Sequence, residues 1–362
     1  MSTTLPNAME LSKEDWLQHS QAKGLPKFRA NQICEWIFDK KISTPTEASN
    51  LPGAIKSSLI QDFSWEKPKV ISRLDSEDGA SKLLLRSGER LQTYEAVILR
   101  YENRTSLCVS SQVGCKLACT FCQTGKLGFF RNLNTAEIIG QYRIAEDIVR
   151  SEGRRISHIV FMGMGEPLDN FTAVSKAVKL LTSADGYGLS QRRVTVSTSG
   201  LVPQIKQLGV ENKCALAISL HAPTDELRSK LMPINRKYPL ATLKQALCEY
   251  QAQTGQVITI EYILLEEQND SLKEAKQLVK YLHGLRAKIN LIPFNTHPGS
   301  PFLRPQIKRM ESFQKYLSTR GYPAPIRYSK GLGVSAACGQ LAAKSQHNLD
   351  SKPQRQNVLH AQ

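Results

Sequence analysis

No apolar run in the 362 residues approaches the roughly 20 needed to span a bilayer. The opening M-S-T-T-L-P-N-A-M-E lacks the apolar stretch of a secretion signal. These two absences exclude a helical membrane protein and point to a cytosolic, reducing location. There the eight cysteines are expected as thiols, ligands or catalysts rather than a disulfide scaffold. Acidic residues are the scarce charge, with 32 Asp and Glu against 48 Lys and Arg, a net charge of +16. Such an excess suits an anionic partner, with nucleic acid the leading candidate; a merely soluble basic surface is the plainer alternative. The hydrophobic share of 41% is that of an ordinary soluble globular chain.

What is present is concentrated in V-G-C-K-L-A-C-T-F-C-Q-T-G. Cys115, Cys119 and Cys122 stand there as Cys-x3-Cys-x2-Cys. Tight thiolate clusters hold iron–sulfur centres. Three thiolates on a four-iron cluster leave one iron open to bind and reduce a substrate. Zinc is the rival reading, but structural zinc sites close a tetrahedron with a second Cys or His pair, and none follows at that distance. Three core cysteines without chemistry would be the plainest reading, and their density within eight residues argues against it.

Residues 9–65 read as helical, with Trp16, Ile33, Trp36 and Ile37 at helical spacings and Pro26 and Pro52 as breaks. Residues 1–65 are therefore expected as a small helical accessory domain, a candidate nucleic-acid module. Residues 66–104 look strand-rich and read as a β-rich linker. From 105 to 330, six strand-like runs alternate with helical patterns, from L-C-V-S-S-Q to K-I-N-L-I-P-F-N. This predicts an α/β fold with a parallel sheet. Six strands are too few for a full eight-stranded barrel. A partial (β/α)6 barrel is preferred over a doubly wound open sheet. Either places the cysteine loop at the C-terminal strand ends, where sites are built. Residues 331–342 form a loop carrying Cys338, and the polar tail 343–362 is expected to be disordered.

The other strand ends supply small and polar groups. Gly163, Gly165 and Glu166 follow I-V-F-M; the glycines would let backbone approach a ligand, and Glu166 would accept from an ammonium. Ser197, Ser199, Ser219, His221 and Asn295 lie at later ends. Each is weak alone; together they line one rim suited to a zwitterionic, adenosine-bearing cofactor. Cys108 and Cys338 have small neighbours that leave a thiol open, although buried structural cysteines are the commoner case. Cys34, Cys214 and Cys248 read as packing.

The runs C-V-S-S-Q-V-G-C-x3-C-x-F-C, F-M-G-M-G-E-P-L, R-V-T-V-S-T-S-G, L-A-I-S-L-H-A-P, N-L-I-P-F-N and A-A-C-G-Q-L resemble the RlmN family, radical S-adenosylmethionine (SAM) adenine-C2 methyltransferases of 23S rRNA and tRNA. The resemblance runs from about Leu25 to Leu341. It implies that Cys115, Cys119 and Cys122 ligate a [4Fe–4S] cluster, whose open iron chelates SAM. Gly165, Glu166, Ser197, Ser219, Leu220, His221 and Asn295 would contact SAM. Cys338 would become S-methylated, Cys108 would be its transient disulfide partner, and Glu95 would accept the proton. Two SAM are consumed per methylation: one methylates Cys338, the other yields a 5′-deoxyadenosyl radical that activates the new methyl group. The resemblance also implies an electron donor such as flavodoxin or ferredoxin, and the enzyme is expected to be a cytoplasmic monomer. The family's R-G-x-D-I-x-A-A-C-G-Q-L reads K-G-L-G-V-S-A-A-C-G-Q-L here, so Lys330 replaces Arg and Gly333 replaces Asp. The alternatives are a Cfr-like C8 methyltransferase and a non-enzymatic iron–sulfur RNA-binding or redox-sensing protein. A methylthiotransferase would need a second cluster, which the remaining cysteines do not supply by spacing.

Overall fold

The computed structural model describes residues 5–88, 92–297 and 299–341; the tail expected to be disordered lies outside them. Three helices open the chain: α1 (Lys13–Ala22), α2 (Lys27–Cys34) and α3 (Gly53–Asp62). Ser12 and Asp15 form a reciprocal cap that starts α1. Trp16, Ile33 and Ile37 are buried, while Trp36 donates its indole N–H to Asn50.

Three antiparallel strands follow, β1 (Lys69–Asp75), β2 (Ala80–Arg86) and β3 (Thr93–Arg100). The segment expected as a linker is instead built into the main sheet, because β3 pairs with β4 (Thr105–Cys108). Next come the small antiparallel pair β5 (Gln112–Gly114) and β6 (Phe129–Asn132), with α4 (Gln123–Lys126) between them and α5 (Thr135–Ser151) after. Then β7 (His158–Phe161), α6 (Phe171–Thr182), β8 (Val194–Thr198), α7 (Val202–Glu211) and β9 (Ala215–Ser219) succeed one another. Helices α8 (Asp225–Leu231) and α9 (Leu240–Thr254) lead to β10 (Ile258–Leu264), α10 (Leu272–Leu282), β11 (Ala287–Pro293) and α11 (Ile307–Thr319).

Strands β4, β7, β8, β9, β10 and β11 are adjacent and parallel. This is the six-stranded partial barrel, extended by an antiparallel flank of β3, β2 and β1. β10 is buried throughout, as a strand covered on both faces should be. The N-terminal helices are fastened by Arg143 of α5, which is 1% exposed. Its guanidinium donates to the carbonyls of Ile37, Lys41 and Ile42, satisfying the chain where the helical segment turns away.

Candidate active site

The parallel strands end on one rim, and side chains from several connections meet there. The β4–β5 connection is anchored first. Gln141 of α5 accepts from the Ser110 amide at 2.8 Å and donates to its carbonyl at 2.9 Å. The G-M-G-E segment after β7 then packs on this connection. A Cβ on Gly163 would lie 2.7 Å from Ser110 Oγ, and one on Gly165 would lie 2.4 Å from Gln112 Cβ. These glycines thus admit neighbouring protein on one side, while both also border the cavity described below. Gly165 also has φ +96°, which disfavours any side chain.

Glu166 is buried. Its carboxylate accepts from the amides of Leu168 at 3.1 Å and Ser199 at 2.8 Å, so it stitches the β7 end to the β8 end. Burial raises its pKa, and those N–H donors pull against the rise.

A cavity of about 170 Å³ opens beside it. Gly165, Glu166, Ser197, Ser219, His221 and Cys338 line it, with Cys122 at one side. Leu220 and Asn295 do not line it. Leu220 is fully buried behind the wall, its carbonyl accepting from Arg228. Asn295 donates to the Cys338 carbonyl at 3.3 Å and to Ser329 Oγ at 2.9 Å, so it holds the cysteine loop from outside. His221 has φ +57° and accepts the Ile263 amide at Nδ1, which puts its proton on Nε2. Burial, then the Arg228 charge, lowers its pKa to about 3, so it is a neutral structural wall at physiological pH.

The three cluster cysteines sit on one tight turn. Ala118 takes φ +52°, the Cys122 amide donates to the Cys119 carbonyl, and the Cys115 amide donates to Gly128. Burial first, then the neighbouring thiols, raises Cys115 and Cys119, the latter to about 12. Such thiols need a strong local cation to ionise. Iron supplies one, and a coordinating thiol is deprotonated outright. Among the described residues no three His, Cys, Asp or Glu side chains converge on one ion position. Zinc would need its thiolates about 4 Å apart, at ~2.3 Å from the metal. A cluster engages each thiolate at a different iron, so the donor set fits a cluster better than a single ion.

Cys108 ends β4 opposite Val97 of β3. Strand alternation puts Glu95 on the same face as Val97, and Lys82 of β2 is the cross-strand partner of Val97. The register therefore gathers Lys82, Glu95 and Cys108 on one face. Lys82 Nζ stands 3.3 Å from the Glu95 carboxylate and 3.4 Å from the Ser335 carbonyl. Cys108 is buried; burial and then the nearby Cys338 push its thiol far up. Cys338 reaches solvent, yet the protein packed around its thiol, with Glu261 next, holds it up to about 11. Cys34 and Cys214 are buried as expected, whereas Cys248 is exposed on α9, because its place in the helix faces away from the sheet.

The loop carrying Cys338 is tied down on several sides. Gln123 donates its amide to Gly339, and the Thr124 hydroxyl donates to Leu341. Lys330 donates to the carbonyls of Asp78 and Arg100, and the Gly331 amide donates to Asp78 Oδ2 at 2.7 Å. Lys330 thus still anchors the loop where the family pattern has Arg, and Gly333 meets no close side chain.

Sequence reasoning missed Arg228. It is fully buried and donates to the Leu220, Ser199 and Ser219 carbonyls and to Asn235 Oδ1. It ties the β8 and β9 ends together, and its charge also favours the Cys119 thiolate. The run D-E-L-R-S-K-L is mostly charged, and nothing local marks which of its charges turns inward.

A model of the Radical SAM superfamily matches residues 109–279. The chain is 47% identical over 356 residues to the Dual-specificity RNA methyltransferase RlmN of a Nitratiruptor species, covering 94% of this chain and 99% of that one. It is 45% identical over 334 residues to the same enzyme of Syntrophobacter fumaroxidans, covering 91% and 95%. The crystal structure of a radical SAM methyltransferase from Sphaerobacter thermophilus superposes with a TM-score of 0.89 at 40% identity, over 94% of this chain and 100% of that one. With sequence, fold and thiol arrangement in agreement along nearly the full length, the chain belongs to the RlmN family of dual-specificity RNA methyltransferases, SAM-dependent enzymes of the radical SAM superfamily that carry a [4Fe–4S] cluster.

Proposed function

We propose that this enzyme methylates C2 of adenosine in 23S rRNA and tRNA through a methyl group carried on Cys338. The observation that supports this best is the place of Cys338 on the wall of the cavity that Cys122, Glu166, Ser197 and Ser219 share. Adenine C2 has no nucleophilic lone pair, so direct methyl transfer from a sulfonium fails there. When bound on Cys115, Cys119 and Cys122 and along Glu166, Ser197 and Ser219, the cluster and SAM supply the methyl group, an electron and a carbon-centred radical.

The protein's own groups do the rest. Cys338 accepts the methyl group and, after loss of one hydrogen atom, its methylene carbon bonds to C2. The adduct would return one electron to the cluster held by Cys115, Cys119 and Cys122 and lose its C2 proton, which Glu95 takes. Cys108 then attacks the Cys338 sulfur. The S–S bond forms as the C–S bond breaks, and its electron pair passes to the methylene carbon, which picks up a proton to become methyl. Burial of Cys108, and the protein packed around the Cys338 thiol, favour the protonated form of both. Gly165, Leu220, His221 and Asn295 shape and brace the SAM-binding walls.

The same reading includes residues 1–65 as an accessory RNA-contacting module and a flavodoxin or ferredoxin as electron donor to a monomeric, cytoplasmic enzyme. No described helix is long and apolar enough to cross a membrane. The test is Cys338→Ala in anaerobically reconstituted enzyme. Reduced variant should still cleave SAM to 5′-deoxyadenosine while forming no 2-methyladenosine in tRNA or rRNA fragments. Retained methylation would overturn the role of Cys338, and 8-methyladenosine from the unaltered enzyme would move the target to C8.

A further inference from the structure

Glu261 of β10 stands in register opposite Ser219 of β9 on one side and Asn290 of β11 on the other. Strand alternation puts it on the same face as Ile263, and both line the 170 Å³ cavity that carries Cys338. Asn290 Nδ2 donates to Glu261 Oε1 at 2.9 Å. Arg327 Nε donates to Asn290 Oδ1 at 3.3 Å, which fixes the orientation of that amide. The other carboxylate oxygen, Oε2, has no hydrogen-bond partner among the described residues. Glu261 is 7% exposed, and Oε2 is not sealed off, so it is an open acceptor on the cavity wall.

The other titratable side chains on this wall are committed elsewhere. Both oxygens of Glu166 accept backbone amides. His221 accepts the Ile263 amide at Nδ1, so its Nε2 carries the proton and cannot take another. Cys122 belongs to the cluster set. Glu261 therefore holds the one open basic atom among the described side chains around Cys338. Its charge also reaches the Cys338 thiol, second only to burial among the influences that hold that thiol up.

We propose that Glu261 is the base that takes the Cys338 thiol proton as the first SAM methylates that cysteine. The proposal rests on the S-methylcysteine reading above. The S–H proton passes to Oε2, and the sulfur electron pair forms the new bond to the methyl carbon. The bond from methyl to sulfonium breaks, and its pair stays on the departing S-adenosylhomocysteine. One carboxylate and one sulfonium are consumed, and every product is neutral. In a cavity closed to water this cancellation matters, because neither charge is left buried alone. Burial holds Glu261 at about 7, which suits a base working near neutral pH. Asn290 opposes that rise, as do the Arg327 and Lys288 charges, and Cys122, Glu166, His221 and Cys338 face it across the cavity.

The test compares wild type and Glu261→Gln as cluster-loaded enzyme whose Cys338 starts as the free thiol. Without SAM, Cys338 alkylation by iodoacetamide is read by peptide mass spectrometry. Water then reaches the thiol, and the carboxylate only disfavours the thiolate. The variant should alkylate about 3–10-fold faster at about pH 8 and at the wild-type rate at about pH 5, where the carboxyl is neutral. With saturating SAM and no reductant, S-methylation of Cys338 is read by intact-protein mass. There the variant should be slower by about 10²–10⁴-fold. Opposite signs in the two assays support the proposal. Equal alkylation at both pH values overturns it, because Glu261 then does not face the thiol. Methylation within about threefold of wild type at saturating SAM also overturns it and reduces Glu261 to a contact of the cavity wall. If the variant loses its cluster or alkylates faster at both pH values, the wild-type pH profile of Cys338 methylation decides. A rate that levels off above about pH 7 supports the proposal, and one that climbs tenfold per unit to about pH 9 overturns it. Wild-type enzyme that leaves Cys338 unmethylated overturns the S-methylcysteine reading and this proposal with it.

Discussion

Replacing Arg228 with Met tests whether the SAM side of the site is held by a buried cation. The guanidinium donates to three backbone carbonyls and one side-chain amide, at 2.6 to 3.2 Å, with no solvent exposure. Met keeps much of the volume and all of the apolar stem but none of the donors, so these acceptors would be left buried and empty. Losing one partner from such a buried polar cluster costs about 3–5 kcal/mol. With about 2.1 cal/mol/K of unfolding entropy per residue, 362 residues give roughly 0.8 kcal/mol/K. The apparent melting midpoint should then drop by about 4–7 °C. Because Arg228 joins the Ser199 and Ser219 ends, SAM affinity should fall about tenfold or more, a loss of ~1.4 kcal/mol. Differential scanning fluorimetry at one scan rate and SAM equilibrium dialysis read the two effects. A midpoint within about 1 °C of wild type together with unchanged SAM affinity would refute the reasoning.

Three further outcomes follow from the same geometry. Burial holds Glu261 up at about 7 against 4.5 unfolded, with the Asn290 hydrogen bond opposing the rise. The folded state therefore binds the extra proton between those values, so stability falls as pH climbs from 4.5 to 7, by about 3 kcal/mol, and is flat above. In urea titrations Glu261→Gln should remove that fall; parallel wild-type and variant curves would count against it. Cys108→Ala should accumulate a covalent RNA–protein species through Cys338, visible as a shifted, nuclease-sensitive band on a denaturing gel; rapid release of methylated RNA would contradict the resolving role. RNA affinity should drop steeply between about 50 and 200 mM salt if the +16 charge docks phosphates, and a flat salt response would sink that docking mode.

Several parts of this protein were written in short stretches of chain. The Cys-x3-Cys-x2-Cys spacing, the alternation of strand and helix after residue 105, and the glycine-flanked Cys338 are local patterns, and local patterns survive in one dimension. Other parts depended on where distant segments landed. Nothing local told whether residues 69–100 pair with the barrel or hang beside it; that followed from β3 meeting β4 antiparallel across a short turn. That Gly163 and Gly165 also make room for the β4–β5 connection was visible only once that connection was packed beside them.

Lys82 and Arg228 carried little signal because their partners lie far along the chain or across strands. Lys82 reaches Glu95 through strand register and Ser335 through the closing loop. Sequence by itself determined the thiols, the order of elements and the family. Only the tertiary structure decided which charges are buried, how the Cys338 loop is tied down and which side chains share one cavity, because burial and pairing are properties of surfaces brought together by packing rather than of neighbours along a chain.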